Sequence, residues 1–192
     1  MTFLTDFADA AVILPMALTV AIALGLFGWR RGALAWILSI GGTLAAMFGL
    51  KLVFLACGPA MGFAIESPSG HTAAATVTYG GLMILLGVPY AVAFAVSAAV
   101  ALGIGASRVA LGMHTPPEAI LGALVGLVGV LVMIRLAGNT SRPVPRVALI
   151  AMLLAVVVVF HGAHVHAEPV IHHLARLLDI WPLSVCRGMM AS

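Results

Sequence analysis

The stretch Ser107-Arg108-Val109-Ala110-Leu111-Gly112-Met113-His114-Thr115-Pro116-Pro117-Glu118 sets an arginine, a histidine and a carboxylate between two long apolar runs. Charges at membrane depth are costly and usually mark function. These residue types suit phosphoryl chemistry. Arg108 can fork onto phosphate oxygens with two parallel hydrogen bonds. His114 can attack phosphorus. Glu118, four residues on, reaches the far ring nitrogen of His114 if a helix begins there. That bond would fix the tautomer and stabilise the imidazolium. A plainer reading competes: a polar turn between two membrane helices, with Glu118 as the first-turn charge of a helix opened by Pro116-Pro117.

A second stretch, Pro68-Ser69-Gly70-His71, stands just before another apolar run, and Lys51 is the only lysine of the chain. Together the two stretches resemble the second and third signatures of the type 2 phosphatidic acid phosphatase (PAP2) superfamily, PSGH and SR-x5-H-x3-D. The first signature, K-x6-RP, has an altered counterpart in Lys51-x6-Gly58-Pro59. The resemblance runs over residues 51–118 in family order.

The resemblance implies roles for these residues. His114 is the nucleophile and forms a phosphohistidine. Glu118 orients it, where the family usually has aspartate, and the extra methylene makes the bond come from slightly further back. His71 is the general acid for the leaving oxygen; its plainer role is a helix-start histidine bonded to backbone. Lys51, Ser69, Arg108 and the backbone N–H of Gly70 bind phosphate, and Ser107 hydrogen-bonds within the site. Lys51 has the plainer role of a snorkelling interfacial lysine. A helix start at Gly70 presents free N–H groups to an anion, and the missing side chain lets backbone approach it. The family chemistry needs no metal and no other cofactor. Gly58 is the departure, because the family has an arginine there. Losing one charge-assisted contact weakens phosphate binding by roughly 1.5–3 kcal/mol, unless Arg176 or Arg187 takes its place.

Composition sets the elements that must position these groups. The chain has 192 residues, 63% of them hydrophobic and 8% charged, with a mean hydropathy of +1.20. That excludes a soluble globule and gives an all-α polytopic membrane protein. The net charge of +3 comes from scattered arginines without a basic run, which gives no nucleic-acid signature. Cys57 and Cys186 lie far apart with no CxxC spacing, so two unrelated thiols are the plain reading. Residues 1–10 carry Asp6 and Asp9 and no positive n-region, so no cleavable signal peptide is clear; with Phe3, Leu4 and Phe7 they suit the membrane interface.

Apolar runs mark six transmembrane helices, at about 11–28, 33–57, 71–88, 90–106, 117–137 and 147–161. The last is short of the ~20 residues a crossing needs and draws on its flanks, about 144–163. Residues 58–67 read as a loop, and Gly122-x-x-x-Gly126 permits close helix contact. The expected architecture is one membrane domain over 1–192. Its PAP2-like helical bundle has a core at 33–137, and a surface tail follows at 164–192. In that tail Val170, Ile171, Leu174, Leu177 and Leu178 oppose His172, His173, Arg176 and Asp179, an amphipathic interfacial helix. His161, His164, His166, His172 and His173 could hold a transition metal, but interfacial histidines are the plainer reading. No feature sets an oligomeric state.

Six spans put Lys51, Ser69, His71, Arg108, His114 and Glu118 on one side of the membrane. Arg30, Arg31, Arg135, Arg142 and Arg146 fall on the other, which the positive-inside rule makes cytoplasmic. By resemblance the chain is a lipid phosphatase of the bacterial inner membrane, with its site facing the periplasm or cell exterior. Its substrate class is a polyprenyl diphosphate (undecaprenyl, for example), phosphatidic acid or phosphatidylglycerol phosphate. A lipid phosphotransferase of the same superfamily is the nearest alternative. A non-catalytic lipid-binding member, motivated by Gly58, is the alternative of a different class.

Overall fold

The structure is a computed structural model that describes residues 2–61, 65, 67–138 and 145–163. It contains α1 (Thr2–Asp6), α2 (Ala10–Leu26), α3 (Arg30–Met61), α4 (Gly70–Leu85), α5 (Tyr90–Ala110), α6 (Pro116–Ala137) and α7 (Arg146–Phe160). The described residues hold no strand. The six helices α2 to α7 stand where the six apolar runs predict them. Three segments, Arg30–Leu55 of α3, α5 and α6, are long and apolar enough to cross a membrane by length and composition; α2 and α7 are shorter apolar helices. The tail helix, four of the five clustered histidines, Arg142, Arg176 and Arg187 lie outside the described residues.

One helix differs from expectation. The sequence predicts an end near residue 57 and a loop over 58–67, but α3 continues through Gly58 and Pro59 to Met61. A Gly-Pro pair normally ends a helix in water. In an apolar setting the backbone has no competing partner, and a proline in the last turns forfeits a single bond. Lys51 therefore lies well inside α3, ten residues before its end. At ~1.5 Å per residue it stands about 31 Å along the helix from Arg30.

The most enclosed helix is α4. It packs against α2, α3, α5 and α6. Its residues are small or weakly polar, and Thr72, Ala73, Ala75, Thr76, Val77 and Thr78 are all fully buried. The buried hydroxyl of Thr76 returns to its own helix, donating to the Thr72 carbonyl at 2.6 Å. Lipid-facing bulk is carried elsewhere, by Leu102, Ile120, Leu124, Val147 and Val158. A bundle in lipid gains little by segregating apolar groups inward, so close packing of small residues takes over.

The seam between α4 and α6 shows this directly. A Cβ on Gly122 would collide with the Ser69 carbonyl, and one on Gly129 would lie 2.8 Å from Val77 Cγ2 of α4 and collide with Thr43 Oγ1 of α3. One on Gly126 would lie 2.7 Å from Thr76 Cβ and 2.8 Å from the Ala73 carbonyl. The Gly122–Gly126 pair expected to allow close contact is thus the contact itself, extended one turn to Gly129. A second anchor is Trp36, fully buried, which donates its indole N–H to the Ala17 carbonyl of α2 at 2.8 Å.

The arginine end is built from helix termini. Arg31 Nε donates to the Leu136 carbonyl of α6 at 2.9 Å, satisfying an acceptor that the helix end leaves open. The Arg146 guanidinium lies against Gly87 in the α4–α5 turn. At the opposite end His161, after α7, packs its ring on Phe3 and Phe7 at 4.7 and 4.6 Å.

Gly126→Ala should lower stability by about 1–3 kcal/mol through overpacking. Gly103→Ala, where a Cβ meets nothing within 4 Å, should leave it unchanged or slightly raised. Thermal midpoints in detergent check this, and equal midpoints for the two variants would remove the α4–α6 seam from the account.

Candidate active site

Arg108 occupies the last turn of α5. The helix then reverses through Gly112, whose φ of +67° suits a residue without Cβ. The Gly112 N–H donates to the Val109 carbonyl (2.9 Å) and the Met113 N–H to the Arg108 carbonyl (3.1 Å). That is the paired bonding of a Schellman closure. It turns the chain back so that His114 follows immediately.

Thr115 caps α6, and Pro116 and Pro117 fill its first positions, where an N–H would be orphaned anyway. Glu118 then closes a capping box: its Oε2 accepts the Thr115 N–H at 2.9 Å. The same oxygen stands 3.2 Å from His114 Nδ1. Both readings of Glu118 therefore hold at once, as helix-start charge and as histidine partner. A carboxylate only accepts, so Nδ1 carries the proton and the lone pair sits on Nε2. Both side chains are enclosed, 8% and 7% exposed.

The other Glu118 oxygen reaches across to the neighbouring segment, where Oε1 accepts the Ser67 N–H at 2.8 Å. The Glu118 main-chain carbonyl accepts the Ser69 N–H at 3.1 Å. One residue thus joins the two sequence stretches. Ser69 is the N-cap of α4; its Oγ lies 2.9 Å from Thr72 Oγ1 and 3.4 Å from the Thr72 N–H. Gly70 opens α4, and a Cβ there would meet only Lys51 Cε, at 3.7 Å. Lys51 from α3 therefore stands over the start of α4, although it is 5% exposed.

Lys51, Gly70, His71, Arg108, His114 and Glu118 come together at this end of the bundle. Arg108 lies close enough to both histidines to act on their charge. Burial is the main cause holding the His114 imidazole below the ordinary histidine range; Arg108 and Lys51 add to it and Glu118 opposes. Ser107 is the exception among the expected residues. Its hydroxyl donates to the Ile104 carbonyl at 2.7 Å, within α5, so its proton is committed to its own helix. Gly58 lies within the last turns of α3, two turns beyond Lys51. Arg176 and Arg187, the cations expected in place of the family arginine, lie outside the described residues.

Sequence reasoning missed Asp9, whose Oδ2 is 3.6 Å from His71 Nε2. It also missed Ser67 and Thr115, whose N–H groups hold Glu118. An aspartate just before an apolar run is a recognisable N-cap, and Asp9 does cap α2. Its nearness to His71, sixty-two residues on, has no local signal.

The arrangement offers an imidazole lone pair, two cations, a second imidazole and a helix start, all converging where an anion could sit. The family model described as PAP2 superfamily matches residues 56–142. That segment holds Ser69 through Glu118 and leaves out Lys51. No curated protein and no solved structure matches the chain. Members of the superfamily are generally phosphatases, which supports a phosphatase-type, membrane-embedded function here. The match and the joined signature stretches agree, and over residues 56–142 the chain is similar to the PAP2 superfamily.

Proposed function

We propose that this protein is an integral membrane lipid phosphatase that works through a phosphohistidine on Nε2 of His114. One observation carries the reading: the Glu118 carboxylate on Nδ1 of His114, which leaves Nε2 unprotonated as a nucleophile. Lys51, Arg108 and the N–H groups at the start of α4 hold the phosphoryl oxygens. Nε2 attacks phosphorus as the bond to the leaving oxygen breaks, and His71 gives that oxygen its proton. Water then attacks the phosphohistidine, and His71 takes the proton back. The products are the lipid alcohol, or the lipid monophosphate from a diphosphate, and inorganic phosphate.

The substrate reaches the site sideways between helices, with its headgroup at the membrane surface. The short connections favour a small headgroup, in the class of polyprenyl diphosphates, phosphatidic acid or phosphatidylglycerol phosphate. Transfer of the phosphoryl group to a second lipid is the alternative, and Gly58 motivates a non-catalytic one. The membrane is the inner membrane of a bacterium in this reading, and the arginine end of the bundle is cytoplasmic.

Purified protein should release phosphate from at least one member of a lipid phosphate panel. His114→Ala should lose on the order of 10⁴-fold or more, as nucleophile removal does, while remaining folded. His71→Ala should lose far more on an alkyl phosphate than on an aryl phosphate, whose leaving group needs no proton. Full turnover by His114→Ala would end the mechanism.

The neutral imidazole of His114 has a consequence for stability. Its folded pKa lies below the ordinary 6.5, so the unfolded chain binds the proton more readily. Its contribution is fully present above pH 6.5 and is lost as pH falls from there toward the folded value. The thermal midpoint of the parent should fall more steeply between pH 7 and 5 than that of His114→Gln. Parallel curves would show that the site does not hold His114 neutral.

Sidedness is tested with Cys57 and Cys186 replaced. Met113→Cys should react with a membrane-impermeant thiol reagent applied outside intact cells. Asn139→Cys should react only after the membrane is opened, and the reverse pattern would place the site in the cytoplasm.

A further inference from the structure

We propose that Asp9 is a positioning residue for His71, holding its imidazole toward the phosphate site and balancing the charge it carries as proton donor. The proposal rests on the phosphatase reading for its chemistry, but its geometry stands apart from it.

The Asp9 carboxylate has two separate duties. Oδ1 accepts the Ala11 N–H at 2.8 Å and caps α2. Oδ2 stands 3.6 Å from His71 Nε2, at ion-pair range. The aspartate side chain is 9% exposed and the histidine 28%. Asp9 is therefore fixed by its own helix, while the histidine is reachable from the site.

The segment before α2 is itself pinned. Tyr79 donates its hydroxyl to the Phe7 carbonyl at 2.7 Å. Ala8, 2% exposed, packs with Ala75 and Ile104. Three successive residues, Phe7, Ala8 and Asp9, thus meet three positions on one face of α4: Tyr79, Ala75 and His71. These lie at i+8, i+4 and i, the spacing of a single helix face. Moving Asp9 off His71 would require breaking the other two contacts.

The charges around His71 explain why a carboxylate belongs there. Arg108 from α5 and His114 from the α5–α6 loop act on it, and Lys51 from α3 lies beside its neighbour Gly70. A carboxylate within about 4–6 Å favours the charged form. When the bond from phosphorus to the leaving oxygen breaks, Nδ1 of the protonated His71 gives its proton to that oxygen, leaving the neutral Nε2–H form against Asp9. In the second step the neutral imidazole takes a proton from the attacking water, and Asp9 supports this return.

The test separates charge from capping. Asn and Ser both cap helices well, so Asp9→Asn and Asp9→Ser keep the start of α2. Asp9→Asn should lower kcat/KM at least ten-fold on a lipid alkyl phosphate and less than three-fold on an aryl phosphate, with Asp9→Glu recovering part of the loss. Equal losses on both substrates would overturn the proposal. The second measurement needs no turnover: ¹⁵N-histidine spectra of the full chain in nanodiscs at neutral pH, with His71→Gln used for assignment. The parent should hold His71 mainly as the Nε2–H tautomer, and Asp9→Ser should change the tautomer ratio at least three-fold. Unchanged spectra would overturn the proposal as well. Should the parent release no phosphate from any lipid, the phosphatase reading fails, and the tautomer ratio alone decides whether Asp9 holds His71.

Discussion

The Glu118 carboxylate is the constraint on which the rest of this end of the bundle depends. A buried carboxylate is costly unless its oxygens are hydrogen-bonded. Here the Ser67 N–H, the Thr115 N–H and His114 Nδ1 meet that demand. These donors come from two segments about fifty residues apart in sequence. Satisfying one side chain therefore aligns the approach to α4 with the approach to α6. The alignment is completed by the Ser69 N–H on the Glu118 carbonyl. One turn further along α6, Gly122 lets the helix close on Ser69. A larger residue at Gly122 would push the capping serine away, and with it the helix start that faces Lys51.

The same logic runs through the apolar interior. Where no water reaches, every backbone group must find a partner within the protein. The Thr76 hydroxyl on α4 returns to its own helix, the Arg31 side chain serves the end of α6, and the Trp36 N–H serves α2. The most enclosed helix is consequently the one with the least apolar bulk. Arg30–Leu55 of α3, α5 and α6 are long and apolar enough to cross a membrane, and α4 is not. Its sequence, Gly70 to Leu85, is shaped for contact with four helices rather than with lipid.

Much of this was legible in the sequence, because a membrane leaves few choices. Apolar runs placed six helices to within a few residues. The spacing of His114 and Glu118 gave their pairing, since four residues at a helix start bring the two side chains together. The extension of α3 was not legible, because Gly58-Pro59 carries a stop signal that holds in water and not in an apolar setting. The hydroxyl direction of Ser107 was not legible for a different reason. A serine beside an arginine reads as part of a polar site, yet inside a helix its hydroxyl finds the Ile104 carbonyl first. Asp9 was visible as a cap but not as a neighbour of His71, because that proximity depends on how Tyr79 and Ala75 seat the N-terminal segment.

The two carboxylates near the histidines share one physical device. Asp9 begins α2 and Glu118 sits in the first turn of α6, and each accepts a backbone N–H of that helix start. Helix N-termini favour negative charge. Each acid is thus held at a helix start while it also faces an imidazole: Oδ2 of Asp9 toward His71, Oε2 of Glu118 toward His114. The consequences differ because the distances differ. At 3.2 Å Glu118 takes a hydrogen bond and fixes a tautomer. At 3.6 Å Asp9 holds His71 more loosely, which in the proposed mechanism suits a histidine that gains and loses its proton in each cycle. A nucleophile needs a fixed lone pair, and a general acid needs a labile proton. In the proposed mechanism, two helix caps at two separations meet those separate needs with the same chemical group.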